Sequence, residues 1–509
     1  MPQKGNTPMA TILPIQGRFD KDIPEDSGNA EYRAERELLI AINDIIALGD
    51  LEHPVIEYFL DVAYVNKYIS VWGTDKSAEL TSNERLNVNA PAVMALRMSV
   101  LRKRLNLSLR KFSLALSHSD LYKWFCGINR FGVPKVPGKS TVGELENSLP
   151  PELTEEVERR LFQVAQDEAS EILCAPLDFS QSYFDCTCIC ANIHYPIDWV
   201  LLRDATRTLM KATVRIRKVG LCHRMPDEPS VFISKMNKLS MEMTFAKRQK
   251  GAKKLRKAIL RQMKKLTRRV CGHAMNHLKL LEEKWKSTEM SRTQTAQILQ
   301  QITNVTGKLD AALKNAHERI IGERKVANKD KILSLYEDDV NVIVRRKAGA
   351  EVEFGNTLYL AEQSDGMIID WKLFRDQAPT DCNMLKESHE RIEDRLGVKV
   401  KLMAGDRGFD SEANREHMES HDIFNAVCPR NPSLLLERLE DHEFREAQNR
   451  RSQTEARISI LSNCFCGSPM KQKGFDNRYI HMGLSILSHN LWVLARLKIA
   501  QEQAPQQAA

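Results

Sequence analysis

The apolar residues of this chain recur with two different periods, and the places where the period changes constrain the fold most. From about residue 31 to 125, AERELLIAINDIIAL, PVIEYFLDVAYVNKYISVW and APAVMALRMSVLRKRL repeat them every three or four residues, as helices with one buried face do. At 180–190 the spacing drops to two. In SQSYFDCTCIC, Tyr183, Asp185, Thr187 and Ile189 share one face while Phe184, Cys186, Cys188 and Cys190 share the other. This predicts a strand that packs three thiols and a ring inward and presents Asp185 on the opposite side. The two-residue spacing of the thiols suits packing better than zinc ligation.

Helical spacing returns over 199–335, and strand character resumes at VNVIVRR (340–346), EVEFGNTLYLAEQ (351–363) and GMIIDWKLF (366–374). Ser364-Asp365-Gly366 links the last two as a hairpin. A helix, CNMLKESHERIEDRLG, ends at Gly397, and the strand VKVKLMA runs straight into Gly405-Asp406-Arg407-Gly408. SEANREHMES then reads as a short helix, IFNAVCP as a short strand, 443–465 as a helix and 479–503 as a long apolar closing helix before a disordered tail.

At 509 residues the chain exceeds one core and suggests about three domains. Its charge is unevenly placed. The whole carries +8, but residues 201–280 hold 22 Lys/Arg against 4 Asp/Glu, or +18, leaving −10 for the remainder. Such a concentration is the electrostatic footprint of a phosphate-binding surface, with a solvated helix face as the plainer alternative. Within it, FAKRQKGAKKLRKAILRQMKKLTRRV sets Leu255, Ile259, Met263, Leu266 and Val270 on one stripe ringed by Lys and Arg, among them Lys253, Lys254, Lys264 and Lys265. A second stripe, Ile298, Ile302, Val305, Leu309, Leu313 and Ile320, predicts a helical hairpin or short coiled coil with the first. A basic amphipathic helix also suits an acidic membrane surface or a helix-binding partner, but its setting inside a mixed region favours DNA contact or dimerisation. Cys271, His273 and His277 are expected on its surface rather than around zinc.

Nearer the N-terminus, NLSLRKFSLALSHSDLYKWFCGI reads as two short helices, with Ser108 as a cap and SHSD as the turn. VPKVPGKSTVGEL reads as extended and then helical, capped by Ser140 or Thr141. Arg110, Lys111, Lys123, Arg130, Lys135 and Lys139 suit either a helix-turn-helix reader or a bundle with a charged exterior. Residues 1–30 read as a flexible arm. They lack the apolar stretch of a secretion leader, and no apolar run approaches the ~20 residues that cross a bilayer, so no membrane partner is expected. Eleven cysteines without a repeated framework fit the reducing cytoplasm.

Without the helical block, the order of strands and helices is that of an α/β ribonuclease H-like core, a mixed sheet flanked by helices. The expected division is an N-terminal arm (1–30), an all-α DNA-binding domain (31–150), a catalytic core (175–198 and 336–475), a large basic helical insertion after the first core strand (199–335), and a C-terminal helix with its tail (476–509). Carboxylates on adjacent strand ends and on a packed helix converge naturally. Asp185 in mid-strand, Asp406 just past a strand's C-terminal end and Glu455 on a helix are placed to do so. Three hard oxygen ligands suit a pair of Mg²⁺ ions, which position an attacking oxygen and relieve charge on a phosphodiester.

FDCTCICANIHYPID (184–198), AGDRGFDSEANRE (404–416) and RRSQTEARISILSNCF (450–465) resemble the three acidic signatures of bacterial insertion-sequence DDE transposases, closest to the ISNCY-like group. SLRKFSLALSHSDLYKWFCGI…VPGKSTVGEL, RKAGAEVEFGNTLYL and HNLWVLARL are similar to further parts of such proteins, so the resemblance covers roughly residues 95–500. It implies Asp185, Asp406 and Glu455 as catalytic, metal-holding residues, Arg451 as the third motif's arginine, and two Mg²⁺ ions for which Mn²⁺ can substitute. It also implies double-stranded DNA as substrate and a homodimer or larger assembly on two element ends, in a bacterial cytoplasm at the nucleoid. The superfamily often has a Tyr three residues before that arginine and a Lys seven after the glutamate. Gln448 and Ser462 stand there instead, and Lys471 or Lys473 is the expected substitute for the lysine's phosphate contact. A hydrolytic nuclease of the same fold and a catalytically inactive, domesticated DNA-binding protein are the alternative readings.

Overall fold

The computed structural model describes residues 28–72, 79–128, 135–167, 172–347 and 350–507. Most of the expected N-terminal arm, Arg130 and the last two residues lie outside the described residues. The chain divides into two compact units, one of Met1–Ile189, Thr357–Phe374 and Ala378–Ala509, the other of Cys190–Asn356 with Arg375–Gln377.

Among the described residues, the first unit begins with the helices α1 (Ala30–Leu48), α2 (His53–Val71), α3 (Ser82–Arg104), α4 (Leu109–His118), α5 (Asp120–Phe125), α6 (Lys139–Asn147) and α7 (Pro151–Gln166). Ser108 and Ser119 accept backbone N–H groups at the starts of α4 and α5, as the sequence suggests. At α6 the cap is Gly138 rather than Ser140 or Thr141, which lie inside the first turn. These helices share one apolar core with the C-terminal helix and one face of the sheet: Ile45, Leu96, Phe112 and Phe162 belong to the same cluster as Phe184, Tyr359, Phe409, Leu487 and Leu494. Burial in a common core is the term that drives this assembly. Arg110, Lys111, Lys135 and Lys139 are exposed, whereas Lys123 is half-buried and pairs with Asp120 at 2.9 Å.

The sheet follows as β1 (Gln181–Cys190), then β2 (Asn341–Lys347), β3 (Ala350–Glu362) and β4 (Ile368–Leu373), with β5 (Leu402–Ala404) and β6 (Phe424–Asn425) completing it. The strand order is β2-β3-β1-β5-β6, with β4 also on β3. β2 and β4 pair antiparallel with successive halves of β3, while β1, β5 and β6 run parallel. The helices that follow β4 are α12 (Leu385–Leu396), α13 (Glu412–Ser420), α14 (Pro432–Arg438), α15 (His442–Ile460) and α16 (Phe475–Gln507). The closing helix therefore continues into the QAPQQAA stretch read as tail. Both faces of β1 are covered: Phe184 is buried on one and Tyr183 and Ile189 on the other, while Cys186, Cys188 and Cys190 are only half-buried. The expected contrast between an inward thiol face and an outward one is thus absent.

In the second unit, the expected hairpin is a four-helix bundle of α8 (Asp198–Lys218), α9 (Pro229–Ala246), α10 (Ala252–Lys284) and α11 (Arg292–Ala316), in which α8 packs against the other three. It has its own core, including Leu202, Leu209, Phe232, Met236, Ile259, Met263, Val270, Ile302 and Val305. The basic segment is broken where Gly251 takes a left-handed conformation (φ 77°) ahead of α10. His277 is fully buried rather than on the surface, its Nδ1 2.7 Å from the His273 carbonyl and its Nε2 accepting the His223 N–H.

Candidate functional site

The parallel pairing of β1 with β5 matches Tyr183 with Ala404; Asp185 lies two residues further along β1, and Asp406 two residues past the end of β5, in the loop that follows it. Neighbouring strands are about 4.8 Å apart, and Tyr183 shares one face with Ala404 beside it and with Asp185 two residues on. Tyr183 and Ala404 on that face pack against Phe444 and Ala447 of α15. Continuing from Ala447 in steps of one helical turn reaches Arg451 and then Glu455, which carries both over the same strand ends.

Gln448 fixes this docking. Its Nε2 donates to the carbonyl oxygens of Gly405 at 3.2 Å and Ala426 at 2.5 Å, tying α15 to the ends of β5 and β6. Further along, Glu362 at the end of β3 is fully buried and accepts from Arg450 and Arg457, both at 2.9 Å, and from Thr454 at 2.8 Å. Arg450 also donates to the carbonyls of Ser364 and Gln363.

The Gly-Asp-Arg-Gly loop is built for close approach. A Cβ on Gly405 would lie 2.3 Å from the Phe184 ring, and one on Gly408 would lie 2.7 Å from Asp381 Oδ2 and 2.9 Å from Asp406 Oδ1. The Phe184 ring is fully buried, so a side chain at 405 has no room, whereas one at 408 would push against the Asp381 and Asp406 carboxylates. Asp406 Oδ1 accepts the Gly408 N–H at 2.8 Å, and Arg430 donates to the carbonyls of Arg407 and Gly408, so the loop is held at both ends.

Asp185, Asp406 and Glu455 are thus brought into one another's field. Burial, then the charge of Asp406, raise the Asp185 carboxyl to about 6, with Glu455 adding to the rise; the Cys186 N–H, 2.7 Å from Oδ1, and Arg451 oppose it. Asp185 and Asp406 are half-buried and Glu455 is exposed, so the group opens outward. Arg451 Nη1 is 4.0 Å from Asp185 Oδ2, and both Nη1 and Nε of this arginine are buried without a hydrogen-bond partner. Buried guanidinium N–H groups of this kind favour a further acceptor.

Not every acidic residue here shares that character. Asp370 on β4 is buried and fully engaged by Arg391 and Ser388. Asp381, by contrast, adjoins the site. It stands across Gly408 from Asp406, and after burial itself its charge is the next cause raising the Cys186 thiol. Sequence reasoning passed over Asp381 because it lies in the irregular PTDCN segment before α12, where no period or motif marks it.

Of the expected DNA-binding residues, Arg451 is at the carboxylates, while Lys471 and Lys473 are elsewhere. They are exposed and line a cleft with Arg102, Asn106, Asn463 and Asn477, whose walls include none of the three carboxylates. Ser462 lies half-buried in the π-helical turn Leu461–Cys466 that ends α15. In the bundle, Lys254 and Lys265 are exposed, Lys253 pairs with Glu323 at 3.2 Å, and Lys264 Nζ is 3.2 Å from His317 Nδ1.

No family model, curated protein or solved structure matches the chain. Among the described residues, no helix is long and apolar enough to cross a membrane.

Proposed function

We propose that this chain is a DNA transposase of the DDE type, similar to the ISNCY-like group, with a ribonuclease H-like core. The observation that carries the reading is that Asp185 on β1 and Asp406, two residues past the end of the adjacent parallel strand β5, lie close enough for the charge of Asp406 and of Glu455 to act on Asp185, with Arg451 on the same helix 4.0 Å from it. An Asp185 carboxyl raised to about 6 by burial and by Asp406 favours a divalent cation, because added positive charge lets the whole cluster ionise. The oxygen-only donor set suits Mg²⁺, with Mn²⁺ as substitute, held by Asp185, Asp406 and Glu455. Once bound, the ions supply charge neutralisation at the phosphate and an activated oxygen nucleophile.

The protein's own contribution is placement. Arg451 takes a non-bridging phosphate oxygen through Nε and Nη1, which donate no hydrogen bond, and Gln448 and the Glu362 network hold α15 so that Arg451 and Glu455 stay aimed at the strand ends. In cleavage, the oxygen of water bonds to phosphorus and the 3′-oxygen departs as a hydroxyl at the element end. In joining, that 3′-hydroxyl attacks a target phosphodiester and displaces another 3′-oxygen. Two ends must be handled together, which makes a DNA-bound homodimer or larger assembly part of the reading.

The test is incubation of purified protein with Mg²⁺ and labelled duplex carrying the element's terminal repeats. Nicks with 3′-OH ends and joined products are expected, and Asp185→Asn, Asp406→Asn and Glu455→Gln should each abolish both while DNA binding persists. Nicking that survives one substitution removes that residue from the site. Nicks without joining select a hydrolytic nuclease, and binding without nicks selects an inactive descendant.

A further inference from the structure

A second cluster of ligating side chains lies in the first unit, on helices rather than strand ends. His389 stands on α12, His417 on α13 and His421 at that helix's C-cap, and one ring nitrogen from each falls within 4.8 Å of the others. His417 and His421 are one helical turn apart, so both rings leave the same side of α13. His389 is buried, His417 half-buried and His421 exposed, which leaves the cluster open to solvent at one end.

Without an ion, two of the rings share a proton, because His389 Nδ1 and His417 Nε2 are hydrogen-bonded at 3.1 Å; a metal would take that proton's place. His421 Nδ1 is 2.7 Å from the His417 carbonyl, and donating there leaves Nε2 as an acceptor. His389 Nε2 makes no hydrogen bond but lies 3.2 Å from Glu393 Oε1, a carboxylate oxygen held by the Val400 N–H, so a proton on Nε2 would face that carboxylate once Nδ1 took a metal. That Nδ1 lies 3.1 Å from His417 Nε2, and the His417 and His421 ring centroids are 4.3 Å apart. Two nitrogens each about 2.0–2.1 Å from one tetrahedral Zn²⁺ lie about 3.4 Å apart; His389 Nδ1 and His417 Nε2 are 3.1 Å apart, and the His421 nitrogen lies within 4.8 Å of both.

We propose that His389 Nδ1, His417 Nε2 and His421 Nε2 form a site for a transition-metal ion such as Zn²⁺, with the fourth position open to water. Glu393 is the outer carboxylate that fixes the tautomer and aim of His389, as carboxylates commonly do behind metal-binding histidines. Imidazole selects such ions over Mg²⁺, so this site and the carboxylate group draw on different metals. A bound ion would fasten α12 to α13, the helix that directly follows the Asp406 loop.

The experiment is Co²⁺ titration of the metal-stripped full chain in excess Mg²⁺, followed by Zn²⁺ competition. One equivalent of Co²⁺ is expected, with the visible absorption of four-coordinate, nitrogen-ligated cobalt, no thiolate charge-transfer band, and displacement by Zn²⁺. His417→Ala and His421→Ala should abolish that spectrum, Glu393→Gln should weaken binding about 10- to 100-fold, and the exposed control His442→Ala should leave it unchanged. His421 is exposed, so its substitution leaves the fold intact by circular dichroism, and lost binding there reports a lost ligand. An unchanged spectrum in both histidine variants, a thiolate band, or no cobalt uptake overturns the proposal. None of these outcomes depends on DNA cleavage.

Discussion

Asp185 carries a cost that its position imposes. Its carboxyl, raised from 3.8 to about 6 by burial and by Asp406, binds its proton more tightly in the folded chain than in the unfolded one. Stability from this group is therefore full at low pH and lost as pH rises through about 6, because the unfolded state ionises first. Asp185→Asn removes the titration. In the metal-free protein, the variant's advantage over the parent should grow between about pH 4 and pH 7 and level off on the order of 2–3 kcal/mol. Chemical denaturation across that range checks it, and an advantage that does not vary with pH contradicts it. Mg²⁺ uptake by the parent should release protons near pH 6. At this scale the close approach of the loop around Asp406 was legible because its structural reason, Gly405 and Gly408, lies beside it in sequence. Asp381 and the three histidines were not, since their partners lie across space.

For single elements, α15 matters most, and its seat depends on a residue far away in sequence. Glu362 neutralises Arg450 and Arg457 and accepts from Thr454 while itself fully buried. Glu362→Gln leaves two largely buried guanidinium groups without a counter-charge, which should cost roughly 3 kcal/mol or more. The same change should reduce Mg²⁺-dependent nicking more than the stability loss explains, because Arg451 and Glu455 ride on the loosened helix. A melting curve and a nicking assay on one preparation measure both, and full activity in a destabilised variant would detach α15 from the chemistry. The stripes of α10 and α11 could be read from sequence because apolar spacing survives among lysines. Their membership in a bundle could not, since α8 hides its core residues among six cationic ones and packing partners leave no local trace.

Across the whole molecule, the +18 segment falls on helices with an apolar core of their own, so its exposed charge can be altered without removing core residues. Replacing Lys253, Lys254, Lys264 and Lys265 with Gln should weaken duplex binding and flatten the dependence of log affinity on log salt by up to about 3–4, at about 0.9 for each phosphate no longer neutralised. Lys254 and Lys265 should account for more of the change than Lys253, which pairs with Glu323, or Lys264, which faces His317. Unchanged affinity and slope would assign the bundle to assembly instead.

The first unit is interrupted: the chain leaves it after Ile189 and returns at Thr357. On the ribosome, β1 emerges long before the strand it pairs with on the Asp406 side. At about 5–20 residues per second, the 221 residues from Asp185 to Asp406 take roughly 10–45 s to make. The bundle, nearly contiguous and helical, has time to fold meanwhile, whereas β1 waits. A nascent or truncated chain therefore carries the +18 segment before Asp406 and α15 have been made, and on the proposed transposase reading its basic surface precedes its carboxylate group.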